Sequence, residues 1–343
     1  DAKVDKASGL PAAQVDVDTS LVEDDGVQVL RLRVGHEWLA SKDREYPVAV
    51  DPSWTSGVSD TWVQNDTTGS MAGSQELRVG TFNSGALVSR SFLRFSSKAM
   101  AGKKITKASL KLYNHYSYSC SSSPVKVQRV TSPWTASQVR WTKQPSATAS
   151  GESSFNVSKG YSSACKAGPV SVPVTSIMQY WADHPETNYG VRLIAANEKN
   201  NLSWHRYRSA NYAASASQHP VFSVTYNSYP STPSGVTFNS GESVKDSSGK
   251  LWVRTKTPTL RSTVSDPDGG RVKAEFDVSG TNGYAKKAGA SVASKSVSAL
   301  KSTGLVDGAT YSASAWGSDG SLRSKKAGAK PTFTVDATAP SAP

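Results

Sequence analysis

Apolar residues recur at every second position through the middle of the chain. Leu93 and Phe95 alternate with polar neighbours, as do Ala108, Leu110 and Leu112, and clusters of Gly, Asn and Ser separate these runs. A period of two with such punctuation is that of half-buried strands joined by short turns. Residues 60–113 carry the pattern most clearly, and residues 188–226 repeat it. For a central domain over residues 51–227 the pattern predicts strands at 61–64, 76–81, 87–95, 107–114, 125–130, 170–173, 190–195, 204–209 and 221–226. One stretch breaks the period. Val174, Ile177, Met178 and Trp181 fall at i, i+3, i+4 and i+7, which predicts a short amphipathic helix capped near Thr175 or Ser176 and stopped before Pro185. Eight or nine strands with long connections predict two stacked antiparallel sheets, a jelly-roll-like β-sandwich.

The flanks read differently. Residues 1–50 offer leader strands at 26–39 and 46–50, too few to bury a core alone. NSYPSTP, residues 227–233, holds two prolines and little that is apolar, so 228–233 reads as a linker. Beyond it, strands at 250–254, 259–264, 272–278, 291–297, 310–316 and 332–335 are spaced by turns such as DPDGG at 266–270. They predict an immunoglobulin- or fibronectin-III-like sandwich over 234–336, with Tyr311 as its corner tyrosine. DATAPSAP, from Asp336 on, reads as the start of another linker, to a further module. The fold class expected is therefore all-β: a jelly-roll-like sandwich followed by a C-terminal immunoglobulin/fibronectin-III-like one.

Charge changes the picture more than size does. Charged residues are only 19% of the chain, against a background rich in Ser, Thr, Gly and Asn, as in secreted all-β proteins. No apolar run approaches the ~18 residues of a membrane-spanning helix. The net charge of +12 is uneven: residues 1–50 carry −4, residues 51–227 carry +10 and residues 228–343 carry +6. The central domain thus suits a polyanion, either an acidic polysaccharide or a teichoic-acid-like wall polymer, with nucleic acid the weakest of the candidates. Solubility alone is the competing explanation. The only cysteines, Cys120 and Cys165, sit in Ser- and Tyr-rich loops without a histidine cluster or adjacent base. They read as a structural disulfide and hence an oxidising compartment, with the protein secreted or wall-associated.

Catalytic chemistry is sparse. The five histidines are scattered, and no nucleophile elbow, phosphate loop or dinucleotide fingerprint occurs. Glu76 and Glu198 are the carboxylates that glycoside hydrolysis would have to pair. Asp266 and Asp268 offer oxygens for a structural Ca²⁺, although D-P-D-G is first of all a turn. Binding features are richer. WHRYRS places Trp204, Arg206 and Arg208 on one strand face and His205 and Tyr207 on the other; Arg90, Phe92 and Arg94 alternate in the same way with Ser91, Leu93 and Phe95. Rings beside guanidinium forks suit sugar stacking and carboxylate recognition, so Trp204, Arg206, Arg208, Arg90 and Arg94 are the candidate ligand-binding residues. Packing of the same rings and arginine stems over the sandwich is the alternative. Tyr113, His115, Tyr116 and Tyr118, near Cys120, form a second candidate surface. Trp134, Trp141 and Trp181 are assigned to the core.

The ordered series DTWVQ, GSQELRVGT, SRSFLRF, ITKASLKLY, the paired Trp134 and Trp141, the Tyr180-Trp181 helix, NYGVRLIA and WHRYRSANY resembles the DNRLRE domain, a carbohydrate-binding-module-like β domain of secreted bacterial proteins. YPVAVDP resembles the segment leading into that domain in actinobacterial wall-associated proteins of the Rhs/YD-repeat class. The acronym string itself is absent, and NEKNNLSWHRYRS occupies its late region. The resemblance covers residues 46–227 and implies a non-catalytic module that binds a wall or extracellular glycan. A spacer role in a larger surface or toxin-delivery protein remains open. So does a protein-directed role, as a protease inhibitor or cross-linking substrate contacting partners through loops such as Val63-Gln64-Asn65.

Overall fold

In the computed structural model, residues 18–24, 27–33, 53–54, 58–156 and 158–338 are described. The chain divides into a unit ending at Val50 and one beginning at Asp51. In the first, β1 (Asp18–Asp24) pairs antiparallel with β2 (Val27–Arg33). β1 carries no clear alternation and is not predicted; β2 lies inside the expected 26–39, while 46–50 and 339–343 fall outside the described residues.

The second unit opens with β3 (Ser53–Trp54), β4 (Ser59–Gln64), β5 (Glu76–Val79), β6 (Ser89–Arg94), β7 (Lys104–Ser117) and β8 (Val125–Val130). β9 (Ala147–Phe155), β10 (Gly168–Pro173), helix α1 (Thr175–Asp183), β11 (Val191–Ala195), β12 (His205–Arg208) and β13 (Val221–Asn227) complete the sandwich. One sheet runs β3-β13-β7-β12-β5, with β10 also on β7; the other runs β4-β6-β11-β8-β9, and every pairing is antiparallel. Leu77, Leu110 and Phe222 from the first sheet meet Leu93, Val127 and Leu193 from the second in one buried cluster. Alternation thus gave the inward faces correctly. β9 escapes it because its ATASGESSF is small and polar and sits half-exposed at a sheet edge.

α1 packs on β7 and β9 with Ile177, Met178 and Trp181 buried, as the i, i+3, i+4, i+7 spacing requires. Its cap differs from expectation. Val174 occupies the N-cap without a side-chain bond, and the Thr175 hydroxyl engages Ala108 of β7 instead: it accepts from the Ala108 N–H at 3.0 Å.

A second sandwich follows, with its own buried cluster around Phe276, Tyr311 and Phe333. Strands Thr237–Phe238, Thr259–Val264 and Ser296–Lys301 form one sheet, and a seven-stranded sheet built on Arg271–Ser279 and Thr310–Ser318 forms the other. The protein is therefore all-β, in stacked sheets, as expected. The Tyr311 hydroxyl accepts from the Val306 N–H at 2.8 Å, five residues upstream, which is the bond of a tyrosine corner. The expected strand at 291–297 is instead two, Val292–Ala293 and Ser296–Lys301, because Lys295 turns the chain at φ 68°.

The residues read as a linker make packed contacts. Ser228 donates its N–H and hydroxyl to the two oxygens of Asp268 (2.6 and 2.8 Å), Asn227 Nδ2 donates to Asp319 at 2.7 Å, and Pro230 and Pro233 are buried. At the DPDGG turn both Asp268 oxygens accept from Ser228, Asp266 Oδ1 accepts from the Asp268 N–H at 2.8 Å, and Asp266 Oδ2 is buried without a hydrogen-bond partner. Among the described residues no group of three or more His, Cys, Asp or Glu is arranged to hold a metal ion.

Cys120 and Cys165 form the expected disulfide, closing a loop across 45 positions with Cα atoms 5.6 Å apart. Replacing both by Ser should lower stability by about 2–4 kcal/mol, chiefly by freeing the unfolded chain; equilibrium unfolding in denaturant checks it, and an unchanged midpoint would contradict it.

Candidate functional site

Register, rather than sequence proximity, builds the site. β12 lies between β5 and β7, so Arg206 faces Arg78 on one side and Tyr116 on the other, and Arg208 faces Glu76. His205 and Tyr207 point inward and have no exposure, leaving Arg206 and Arg208 on the outer face as the alternation predicts. A register shift between Arg206 and Tyr207 marks a bulge in the pairing with β7. Such a bulge re-aims the side chains around it. Here it sets the Arg206 guanidinium carbon 5.1 Å from the centre of the Tyr116 ring. The two candidate surfaces of the sequence, WHRYRS and the tyrosine cluster, are thus one surface.

Trp204 belongs to the same side of β12 but is only 5% exposed. Phe82 packs edge-on against it with ring centroids 5.0 Å apart, so the indole does not offer a free face for stacking. The covering loop turns at Gly80, whose φ is +88° and where a Cβ would stand 2.1 Å from the Ser203 carbonyl oxygen. Only glycine fits that approach. Among the described residues the aromatic side chains more than a third exposed are Phe82, Tyr116, Tyr118 and Tyr161. Phe82 meets this surface at Trp204 and Tyr116 at Arg206, and the backbone brings the other two close to it: the Tyr118 N–H bonds the Trp204 carbonyl, and Gly160, next to Tyr161, lies directly against the His115–Tyr116 backbone. Sequence reading missed Arg78, Phe82 and Tyr161. The available signals were the alternation of Arg78 with Leu77 and Val79, and rings set singly among Gly, Asn and Ser, where no apolar partner is near enough to bury them.

Charge on this surface is unbalanced. Glu76 Oε1 takes Arg78 at 2.7 Å, while its Oε2 lies 3.3 Å from His115 Nε2 and 3.4 Å from Arg206. Burial opposes ionisation of Glu76, but the contacts with His115, Arg78 and Arg206 outweigh it and hold the carboxyl at about 2. Arg208 lies 3.9 Å from the Tyr212 ring centre and has no ion-pair partner among the described residues. Beneath the surface, burial holds His205 at about 4, so it is neutral above that pH, and its Nδ1 lies 3.0 Å from the Ser117 hydroxyl.

Arg90 and Arg94 are not part of this surface. They lie on the outer face of the other sheet, where Arg90 grips Glu198 through Nε and Nη2 at 2.7 and 2.8 Å. Phe92 between them is buried against Trp134. Trp134 and Trp181 are buried as assigned, whereas Trp141 is partly exposed, with the Arg90 guanidinium 4.8 Å from its ring centre. Glu76 and Glu198 are therefore committed to arginines on different sheets and do not form an acid/base pair.

Because the folded-state pKa of Glu76 lies below its ordinary 4.5, its stabilising contribution is complete above that value and is lost as pH falls toward 2. Glu76→Gln should remove this component, at most about 3 kcal/mol, flattening the acid limb of a stability profile from pH 5 to 2. An unaltered limb would contradict the assignment.

The tRNA nuclease WapA of Bacillus subtilis strain 168 is 27% identical over 259 residues, and the tRNA3(Ser)-specific nuclease WapA of Bacillus spizizenii 28% identical over 259. Each alignment takes in 71% of this chain, which spans only about 10% of the length of those relatives. Among solved structures, a β-1,2-glucanase from Parabacteroides distasonis aligns over 82% of this chain and 37% of its own at 9% identity, with a TM-score of 0.22, too low to carry an argument. The model of carbohydrate-binding module family 96 matches residues 53–226, the whole first sandwich with both arginine-bearing faces, and the chain belongs to that family.

Proposed function

We propose that the chain is a secreted, non-catalytic module that binds an acidic wall or extracellular polysaccharide along the outer face of β5, β12 and β7. The observation that carries this reading is the charge imbalance there: Arg78 and Arg206 share the Glu76 carboxylate, and Arg208 has no ion-pair partner among the described residues. An acidic sugar supplies the missing anions as bidentate partners, and the exposed rings of Phe82, against Trp204, and Tyr116, beside Arg206, offer apolar platforms for sugar faces. The disulfide supports an oxidising compartment.

In the WapA proteins the matching region is a small fraction of the polypeptide, which favours a compatible second reading. Binding would then serve to hold a longer protein at the wall.

The test is retention on polygalacturonate, hyaluronate, a poly(glycerol phosphate) and neutral dextran at low and moderate salt. Preference among polymers of equal charge density supports the reading, and retention that tracks charge alone would overturn it. Arg206→Ala with Arg208→Ala should weaken binding at this face at least about tenfold with the melting temperature retained. Unchanged affinity would remove this site.

A further inference from the structure

The five-stranded sheet has an outer face of its own, and its charges are also incompletely paired. Phe92 of β6, Arg192 of β11 and Gln128 of β8 stand in one cross-strand row. Arg192 turns Nε and Nη2 to Gln128 Oε1. Gln128 in turn donates to Glu152 at 2.6 Å, and Glu152 also takes Lys126 at 2.7 Å. On the other side Arg90 holds Glu198 and donates to Gln144 at 3.2 Å. Four cations, Arg90, Arg94, Arg192 and Lys126, are answered by two carboxylates, and neither carboxylate pairs with Arg192.

Burial and then the like charge of Arg90 hold the Arg192 guanidinium below its ordinary range, with Glu198 only partly compensating. A half-buried cation beside another cation is costly until an anion is supplied. Beside Arg90 and Arg94, Gln144 and Trp134 line a cleft of about 250 Å³ together with Pro133, Gln138 and Lys143, so polar donors and an apolar wall stand next to these two arginines.

We propose that this outer face, centred on Arg90 and Arg192, is a second site for acidic sugars, so that one module holds two separate polymer strands, one on each sheet. The proposal rests on the reading of the first face as an acidic-glycan surface. Stacked sheets lie about 10 Å apart, and their outer faces point away from each other. An oligosaccharide lying on one face does not reach the other.

Isothermal titration with a tetragalacturonate separates the outcomes. The intact chain should bind two molecules, and Arg206→Ala/Arg208→Ala should bind one. Arg192→Gln, which removes the charge without stranding a carboxylate, should also bind one, and the combined variant none. The intact chain should further cross-link polygalacturonate into a precipitate, which each set of substitutions abolishes. A stoichiometry of one that Arg192→Gln leaves unchanged overturns the second site while the proposed function stands. A stoichiometry of one abolished by Arg192→Gln alone overturns the two-strand arrangement and the first face together. No binding to any anionic probe overturns both readings.

Discussion

The outer face of β5, β12 and β7 depends on one buried amide. Asn114 has no exposure; its Nδ2 donates to the carbonyls of Tyr116 and Arg206 at 2.8 and 3.0 Å. Its Oδ1 accepts from the Ser117 hydroxyl at 3.0 Å and the Lys159 N–H at 2.8 Å. All four of its hydrogen-bonding positions are used. The amide pins the bulge between β7 and β12 and fastens the loop bearing Tyr161 and Cys165 to the same spot. No other side chain of this size offers two donors and two acceptors. Replacing it strands buried groups at a cost of about 1–3 kcal/mol each.

With that geometry held, the electrostatics of the two faces take a common form. Each sheet turns arginines outward and ties carboxylates to its cations, Glu76 on the first and Glu198 and Glu152 on the second, and among the described residues Arg208 on the first face and Arg94 and Arg192 on the second are left without an anion. The guanidiniums of Arg206, Arg208 and Arg90 lie 5.1, 3.9 and 4.8 Å from aromatic ring centres, which stabilises the cations without neutralising them. Buried Asp60 behaves in the opposite sense. Burial raises it to about 6 against the N–H of Ala210 and the charge of His219, so its contribution to stability falls as pH rises from about 4 to 6 while that of Glu76 is already complete. Residues of the same formal charge class thus act differently because one carboxyl faces guanidiniums and the other faces the interior.

The second sandwich is joined to the first by a packed junction. Ser228 and Asn227 bond to Asp268 and Asp319, Lys325 donates to the Gly102 carbonyl at 3.1 Å, and Gly317 lies against Pro230. The two prolines that mark this segment as a boundary in sequence, Pro230 and Pro233, are both buried in it. Family membership covers the first sandwich only.

Much was legible without coordinates. Period-two alternation located nearly every strand of the first sandwich, because a side chain pointing at the core must be apolar whatever it later touches. The helical spacing of Ile177, Met178 and Trp181 and the pairing of Cys120 with Cys165 followed from equally local rules. What alternation cannot contain is which strands become neighbours. Arg78, Tyr116 and Arg206 share a surface because β12 inserts between two strands some 90 and 130 positions earlier in the chain. Arg90 leaves that surface because β6 enters the other sheet. The burial of Trp204 beneath Phe82 likewise hangs on a loop that closes only where Gly80 meets Ser203. The sequence determined which side chains face outward; long-range strand order, set by the packing of the whole core, decided which of them stand together.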